Sequence, residues 1–180
     1  EAACAIEYAV WWDWEIQHLY ELEHLWVYLD EDEQVIGAEG SWHGGFGVMD
    51  DGEGIPLDEG RLVVCSEPGK HAFAPSPKWL LDRAETTIRC CGVDAGRAGL
   101  IVTPLFEGVI HSRTPVANRI VLTYLECRAF TPSFEFDNLF PLERATFVPW
   151  QALQAYIPQR VEWLVDELRR LCPAPEQHLY

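Results

Sequence analysis

The chain has 180 residues, of which 48% are hydrophobic and 12% aromatic, and this is enough apolar material for one well-filled domain. Its formal net charge of −16 excludes nucleic-acid binding through clustered Lys and Arg, and it disfavours electrostatic docking on anionic lipid. No stretch approaches the roughly 18 consecutive apolar residues of a transmembrane helix, so we expect no transmembrane segment.

The first residue and the cysteines bear on where the protein functions. The sequence begins at Glu1 rather than Met, which indicates a processed N-terminus, and an acidic, lysine-poor composition favours a secreted or extracytoplasmic protein. The spacing of the cysteines matches no CxxC or zinc-finger motif, and it leaves open whether they are buried thiols or disulfides. They are Cys4, Cys65, Cys90, Cys91, Cys127 and Cys172.

Three strands are predicted in the first quarter of the chain. Residues 5–16 and 20–29 are rich in β-branched and aromatic residues, and a polar turn over 30–33 leads into a returning strand over 34–41. Pairing Leu29 with Gln34 makes the aliphatic faces of the second and third strands agree.

The same register places Glu23 opposite Gly40, whose missing side chain would leave room for an ion or a ligand. His43 then follows close to the carboxylate end of the second strand. Strict alternation puts His43 on the opposite face, unless a bulge or the start of the glycine loop turns it inward.

The remaining elements are predicted from turn signals and periodicity. We expect an exposed loop over 44–60, short strands over 61–65, 100–102 and 108–111, and irregular structure over 128–148. Ser76 followed by Pro77 predicts a helix that runs to Cys90, whereas the apolar run 119–127 is compatible with a strand or a helix. An amphipathic helix begins near Pro149, restarts at Pro158 and ends before Pro173.

Together these elements predict a mostly β protein. We expect an antiparallel β-sandwich with one internal helix over residues 1–148, and a C-terminal amphipathic helical segment over 149–173 packed on it.

The second strand carries the clearest chemical signal. With a period of two, Glu21 and Glu23 share one face with the aliphatic residues Leu25, Val27 and Leu29. Burying two unpaired carboxylates would cost several kcal/mol each, so they need a cation or strong hydrogen-bond donors. The alternative is that the strand frays into solvent at these two residues.

Histidines close to these carboxylates complete a candidate divalent-metal site. The predicted metal ligands are His18, Glu21, Glu23, His43 and His71. Mixed imidazole and carboxylate ligands suit Zn, Mn or Fe, and with added waters Mg or Ca. Glu21, Glu23, His43 and His71 are also the candidate catalytic groups.

Other histidines and other chemistries are less well supported. His24 shares a face with Trp26 and Tyr28, which favours a supporting or structural role, and His111 and His178 are expected to be structural. The glycine-rich stretches lack the Lys-Ser/Thr pair of a phosphate-binding loop, no GxSxG motif occurs, and Cys90-Cys91 has no evident base in sequence.

A family resemblance rests on three segments. These are His18-Leu19-Tyr20-Glu21-Leu22-Glu23-His24 leading into an apolar strand, Ser41-Trp42-His43-Gly44, and Gly69-Lys70-His71-Ala72. Together they resemble the necrosis- and ethylene-inducing-like proteins and the related vacuolar-sorting-type family, whose core is a Gly-His-Arg-His-Asp-Trp-Glu heptapeptide.

The resemblance implies a β-sandwich that binds a divalent cation in a cleft. It covers roughly residues 10–75. His18 and Glu23 match the first His and the Glu of the heptapeptide, and Glu21 stands where the family has Asp. An upstream acidic ligand is also implied, for which Asp13 is the candidate. The chain departs from the heptapeptide at Gln17, Leu19, Tyr20 and Leu22.

Three functions remain open from the sequence. The first is a metal-dependent hydrolase in which the cation activates water or polarises a carbonyl and a remaining His or Glu is the base. The second is a non-catalytic module that binds a small-molecule, glycan or lipid-head-group ligand through the cation. Its sugar-stacking candidates are Trp11, Trp12, Trp14 and Trp42. The third is a purely structural network of ion pairs.

Overall fold

The computed structural model describes residues 1–171, so Cys172, His178 and the end of the predicted segment 149–173 lie outside the described residues. In this described part, nine strands and four α-helices follow one another. They are β1 (Cys4–Glu15), β2 (His18–Leu29), β3 (Val35–Trp42), β4 (Gly45–Val48), β5 (Leu57–Asp58), β6 (Arg61–Leu62), β7 (Cys65–Ser66), β8 (Phe73–Ala74), α1 (Pro77–Leu81), α2 (Ala84–Cys91), β9 (Gly99–Leu100), α3 (Pro115–Glu126) and α4 (Trp150–Leu171).

The main sheet is an antiparallel meander of β1, β2, β3 and β4, extended by the short β9. β1 and β2 pair along their whole length, and this register sets Val10 opposite Glu23 and Trp12 opposite Glu21. β9 pairs in parallel with the first two residues of β2, at the same edge that β3 occupies farther along. The turn between β1 and β2 therefore lies next to the start of β9.

The register between β2 and β3 differs from the predicted one. Val27 pairs with Ala38 and Leu25 with Gly40, a shift of two residues, and the ladder is irregular between Tyr28 and Leu29. A shift of two residues keeps each side chain on its predicted face, which is why face alternation did not reveal it.

The expectation of space for an ion at Gly40 is wrong. A Cβ atom there would lie 3.0 Å from the Met49 side chain and 3.1 Å from that of Phe73. Glycine is needed because these two side chains pack directly on the backbone of β3.

The two faces of the main sheet are covered differently. On one face, α3 and α4 pack against Trp11, Tyr20 and Leu22 in the largest core. On the other face, a smaller core of Leu25, Ala38, Met49 and Phe73 is covered by the β5–β6 and β7–β8 ribbons. The alternation of β1 and β2 separates the two cores because neighbouring residues point to opposite faces.

Several helix predictions are decided by the fold. The ambiguous run 119–127 belongs to α3, where Thr114 caps the first turn by accepting a hydrogen bond from the backbone N–H of Ala117. The predicted helix from Ser76 to Cys90 is divided into α1 and α2. Pro158 lies inside α4, so the C-terminal helix is continuous there.

Three local predictions need correction. The expected loop 44–60 contains β4 and β5, and the expected strand 108–111 is not a strand. A 3₁₀ turn, Leu142–Arg144, interrupts the irregular segment 128–148. Short strands escape sequence analysis because two paired residues leave no periodicity to detect.

At the level of fold class, the antiparallel sheet is confirmed. Among residues 1–171, helices including 3₁₀ turns account for 31% and strands for 27%, so the helical share is larger than predicted. The described strands form no closed barrel, and they do not confirm a sandwich of two full sheets. Within the described part of the chain, no helix has the length and apolar character needed to cross a membrane.

Candidate functional site

A cluster of polar side chains forms where the β1–β2 turn meets the loop between β7 and β8. The backbone N–H of Ile16 donates to the carbonyl of Gly69 over 2.7 Å, which fixes the two segments to each other. The first segment contributes Glu15, Gln17 and His18, and the second contributes residues 67–71. The two segments are about fifty residues apart in sequence, so only tertiary structure brings them together.

Glu15 and Lys70 form the buried base of this cluster. Both residues are buried, and the Lys70 Nζ lies 2.6 Å from Oε2 of Glu15 and 2.7 Å from Oε1 of Gln17. Burial raises the pKa of the Glu15 carboxyl, and the charge of Lys70 opposes that shift. The positive charge of Lys70 is thus committed to Glu15.

His18 contacts Glu15 of this pair. Its Nδ1 donates a hydrogen bond to the carbonyl oxygen of Tyr20 over 2.9 Å, so Nδ1 carries the proton. Its Nε2 lies 3.1 Å from Oε1 of Glu15 and 3.7 Å from Oε2 of Glu21. Burial lowers the pKa of His18, and the charge of Glu21 opposes this.

The geometry around Nε2 of His18 calls for a positive charge. In the neutral imidazole with the proton on Nδ1, Nε2 presents a lone pair to the oxygens of Glu15 and Glu21, and all three atoms are acceptors. Such an arrangement is stable only if a proton or a cation lies between the acceptors. A histidine that donates its other N–H to a backbone carbonyl is also the usual form of a metal ligand.

Glu23 is buried on the same strand, with 3% of its surface exposed. The Ser41 hydroxyl hydrogen-bonds its Oε2, and Ser41 Oγ also accepts the backbone N–H of His24 over 2.6 Å. Burial raises the pKa of Glu23 to about 7; the hydrogen bond from Ser41 opposes the shift and the charge of Glu21 adds to it. Near neutral pH this carboxyl is therefore poised between its protonated and ionised forms.

A second unit consists of His43 and Glu67. Nε2 of His43 lies 2.7 Å from Oε2 of Glu67, which is 2% exposed, and the Thr87 hydroxyl donates to the other oxygen. Burial tends to raise the pKa of Glu67, but the hydrogen bonds from His43 and Thr87 outweigh it and the pKa is lowered. Because the carboxylate is only an acceptor, Nε2 of His43 carries a proton, and Nδ1 of a neutral His43 is left with a lone pair.

His71 lies beside the cluster as a neutral imidazole. Its ring stacks on Trp12, with the ring centroids 4.5 Å apart and the planes 5° from parallel. Burial lowers the pKa of His71 to about 4, against the effect of a hydrogen bond with the backbone of Trp14. The charges of Lys70 and His18 also lower this pKa, so His71 is electrostatically close to both residues.

Left-handed backbone conformations occur at three residues of this region other than glycine. The φ angles are 48° at Tyr20, 46° at His43 and 67° at His71, and such conformations cost about 1–3 kcal/mol each for a residue other than glycine. The left-handed turn at His43 releases its side chain from strict strand alternation and directs it to Glu67. Strain of this kind is concentrated at functional sites more often than elsewhere.

Five of the six predicted metal ligands thus lie in or beside one cluster: His18, Glu21, Glu23, His43 and His71. Asp13 does not. Its two oxygens accept hydrogen bonds from Arg160 of α4 over 2.9 and 2.7 Å, and the hydrogen bond from Arg160 lowers the pKa of Asp13. Among residues 1–171, no three His, Cys, Asp or Glu side chains already form a group that could hold a metal ion.

Three charged residues of the cluster were not predicted from the sequence. They are Glu15, Glu67 and Lys70. The only sequence signal for Glu15 is its position three residues before His18. Glu67 and Lys70 belong to a short loop whose charges are typical of a solvated turn, although Lys70 lies in one of the segments that carry the family resemblance. Their burial in the fold shows that they belong to the cluster.

One hollow adjoins the cluster on the side of Glu21. It has a volume of about 240 Å³ and is lined also by Tyr20, His24, Thr103 and Phe106. Sites for drug-sized molecules are usually about 300–1,000 Å³, so this hollow suits a small group or one end of a larger ligand.

Comparisons of the chain with protein-family models, with curated proteins and with solved structures found no match.

Proposed function

We propose that the protein is a hydrolase that depends on a divalent cation. The observation that carries the proposal is the position of Nε2 of His18, which faces oxygens of Glu15 and Glu21 while Nδ1 is committed to the Tyr20 carbonyl. A cation between these three acceptor atoms would remove their mutual repulsion. It would also leave His18 unprotonated, which agrees with the lowering of the His18 pKa by burial.

The proposed cation ligands are His18 and Glu21, with Glu23 and His71 next to them. The neutral state of His71 and the titration of Glu23 near pH 7 suit ligands, because a metal requires an unprotonated imidazole and an ionised carboxylate. Lys70 balances only Glu15, so the remaining carboxylates keep an excess of negative charge. Asp13 is not included, because Arg160 occupies both of its oxygens.

A bound divalent cation would polarise the bond to be cleaved and lower the pKa of an adjacent water. The general base is then His43, which takes a proton from the attacking water at Nδ1. Glu67 accepts a hydrogen bond from the Nε2–H group of His43, and its negative charge stabilises the imidazolium that forms. Part of the His43 side chain, 28%, is exposed, so the base can be reached from solvent.

The test combines metal content with turnover. Wild-type protein, saturated with Zn, Mn, Mg or Ca in turn and desalted, is assayed by elemental analysis and against chromogenic esters, amides and phosphoesters. We expect one cation per chain, and turnover that chelation abolishes and re-addition restores. His18→Ala should lose the cation. His111→Ala is the matched control, because the hydrogen bond at His111 involves only its backbone N–H.

A chain that binds no cation, or a turnover indifferent to chelator, would contradict the proposal. Cation binding without any turnover would favour a second function, in which the cation holds a glycan or a lipid head group. The hollow of about 240 Å³ beside Glu21 is the observation in favour of that function, because a hollow of this size suits one group of a larger ligand.

The resemblance to the necrosis- and ethylene-inducing-like proteins is part of the same proposal, as is an extracytoplasmic location. A two-layer sandwich is the corresponding fold. In its favour, the β5–β6 and β7–β8 ribbons pack on the sheet face opposite α3 and α4, through Leu62 and Phe73. Membrane lysis is not included, because it belongs to one branch of that family.

A further inference from the structure

Arg83 lies between α1 and α2 and is held by two tryptophans. The guanidinium carbon is 4.4 Å from the ring centroid of Trp42 and 5.8 Å from that of Trp79. The two indole rings meet edge to face, with centroids 4.8 Å apart and planes at 79°. Stacking on an indole face both attracts a guanidinium and fixes its plane.

No described carboxylate pairs with this guanidinium. Among residues 1–171, Arg83 makes no ion pair, and its Nε is buried without a hydrogen-bond partner. This is unexpected in a chain with 29 acidic and 13 basic residues other than histidine. Two other cations near the end of β1, Lys70 and Arg160, each bind a carboxylate at less than 3 Å.

Arg83 is next to the proposed general base. Trp42, on which it stacks, immediately precedes His43, and the ring centroids of these two residues are 5.8 Å apart. Burial alone would raise the pKa of Glu67, but hydrogen bonds and nearby positive charges lower it, and Arg83 is one of those charges. The guanidinium is therefore electrostatically close to the His43–Glu67 pair. It is nevertheless too far from the carboxylate to form an ion pair with it.

We propose that Arg83 binds a phosphoryl group of the substrate and that the protein hydrolyses a phosphoric ester. A guanidinium with free N–H donors binds two oxygens of a phosphate in parallel, a geometry that lysine does not offer. A phosphate monoester carries nearly two negative charges, so the carboxylates of Glu21 and Glu23 would repel it. Binding therefore requires one positive charge between the phosphate and these carboxylates and another on the far side of the phosphate. The cation and Arg83 provide those charges.

This inference rests on the proposed hydrolase and specifies its substrate class. In the reaction, the oxygen of water forms a bond to phosphorus and the bond from phosphorus to the alcohol oxygen breaks. His43 accepts a proton of the water, and this proton then passes from the imidazolium, through solvent, to the departing alcohol oxygen. The products are an alcohol and inorganic phosphate, and no oxidant or reductant is needed.

Binding of inorganic phosphate to cation-loaded protein, followed by calorimetry, is the first arm of the test. A second arm measures sedimentation of the protein with phosphatidylcholine vesicles that contain phosphatidic acid, since a lipid head group presents the same chemistry. Arg83→Gln should weaken binding by about tenfold or more in whichever arm the wild-type protein binds, because it removes a charge-assisted hydrogen-bonding pair. Arg83→Lys should show an intermediate loss.

Arg61→Gln is the matched control, because Arg61 is 76% exposed and pairs with Glu143 away from the cluster. It should bind phosphate as the wild-type protein does. Binding in the first arm identifies a soluble phosphoester as the ligand, and binding only in the second identifies a phospholipid.

The inference is overturned if the wild-type protein binds in neither arm, or if folded Arg83→Gln or Arg83→Lys binds like the wild type. Elemental analysis of the same samples separates this outcome from failure of the proposed hydrolase. Stoichiometric cation in a protein indifferent to phosphate contradicts only the role of Arg83. A wild-type protein without cation contradicts the hydrolase itself.

Discussion

Nε2 of His18 lies 3.1 Å from a carboxylate oxygen of Glu15, although the other ring nitrogen of His18 is already committed to a backbone carbonyl. Two hydrogen-bond acceptors at this distance repel each other unless a positive charge lies between them. That relationship separates two states of the protein, one in which a proton lies between His18 and Glu15 and one in which a cation takes its place.

The ionisation of His18 should therefore depend on metal. In protein stripped with chelator, addition of the preferred cation should release protons, because the ligands must be unprotonated to bind. Proton release is measured by calorimetry in buffers of different ionisation enthalpy. His18→Gln should show neither binding nor release, and the His111→Ala control should show both. Metal binding by His18→Gln with unchanged affinity would remove His18 from the site.

Glu23 should make metal-free protein less stable as pH rises. Its pKa in the fold is about 7, against 4.5 for an ordinary glutamate, so the folded state holds a proton that the unfolded chain releases. The stabilisation is complete below pH 4.5 and is lost as pH rises through about 7. The full effect is on the order of 2–3 kcal/mol.

The measurement is the free energy of unfolding in urea with chelator present, at several pH values. Because other groups also titrate in this range, the informative quantity is the difference between the wild-type protein and Glu23→Gln. That difference should change between pH 4.5 and about 7 and be constant outside this interval. A difference that does not depend on pH would show that Glu23 is ionised in the fold.

His71 should have the opposite effect on stability. Burial lowers its pKa from 6.5 to about 4, so the unfolded chain binds a proton that the fold excludes. Its contribution is fully present above pH 6.5 and is lost as pH falls through about 4. Proton NMR should show an imidazole resonance that titrates near pH 4 and so remains that of a neutral ring at pH 5, and this resonance should be absent from His71→Gln.

The His43–Glu67 pair should govern turnover and leave cation binding unchanged. Replacing Glu67 with Gln removes the negative charge that stabilises the His43 imidazolium and one of the two oxygens that accept hydrogen bonds from His43 and Thr87. We therefore expect kcat to fall about 10²-fold or more, as for loss of a general base. The cation content should remain that of the wild type, because Glu67 is not among the proposed ligands. Thr87→Val is a milder companion variant, since it removes only the hydroxyl that supports Glu67. Loss of cation from Glu67→Gln would instead place Glu67 among the ligands.

Asp13 and Arg160 should matter for stability alone. Their bidentate ion pair joins β1 to α4, and the two side chains are 34% and 28% exposed, so solvent screens part of the interaction. Asp13→Asn should lower the free energy of unfolding by about 1 kcal/mol and leave cation content unchanged. A double-mutant cycle with Arg160→Gln isolates the pair. Loss of the cation from Asp13→Asn would restore Asp13 as a ligand.

Periodicity was a sound guide to the long elements. The first three strands lie within two residues of their predicted ends, because period-two alternation over many residues leaves few other solutions. The register between β2 and β3 was missed by two residues, since a two-residue shift preserves both faces and only packing of Met49 and Phe73 on Gly40 distinguishes the alternatives.

The residue types around the candidate site were also visible in the sequence. His18, Glu21 and Glu23 are near neighbours along the chain, so their proximity follows from the strand itself. His43 and His71 could be joined to them only through a family resemblance and the expected strand order. Their actual partners, Glu67 for His43 and Trp12 for His71, depend on left-handed turns that alternation does not predict.

By itself, then, the sequence determined the three long strands, the C-terminal helix and which strand bears the carboxylates, because these follow from local periodicity and composition. Tertiary structure alone decided which charges are paired. Asp13 is held by Arg160 from the far end of the chain, Glu15 by Lys70, and Arg83 by two tryptophans and no carboxylate. The physical reason is that ion pairing and burial depend on distances of a few ångströms between segments that are remote in sequence.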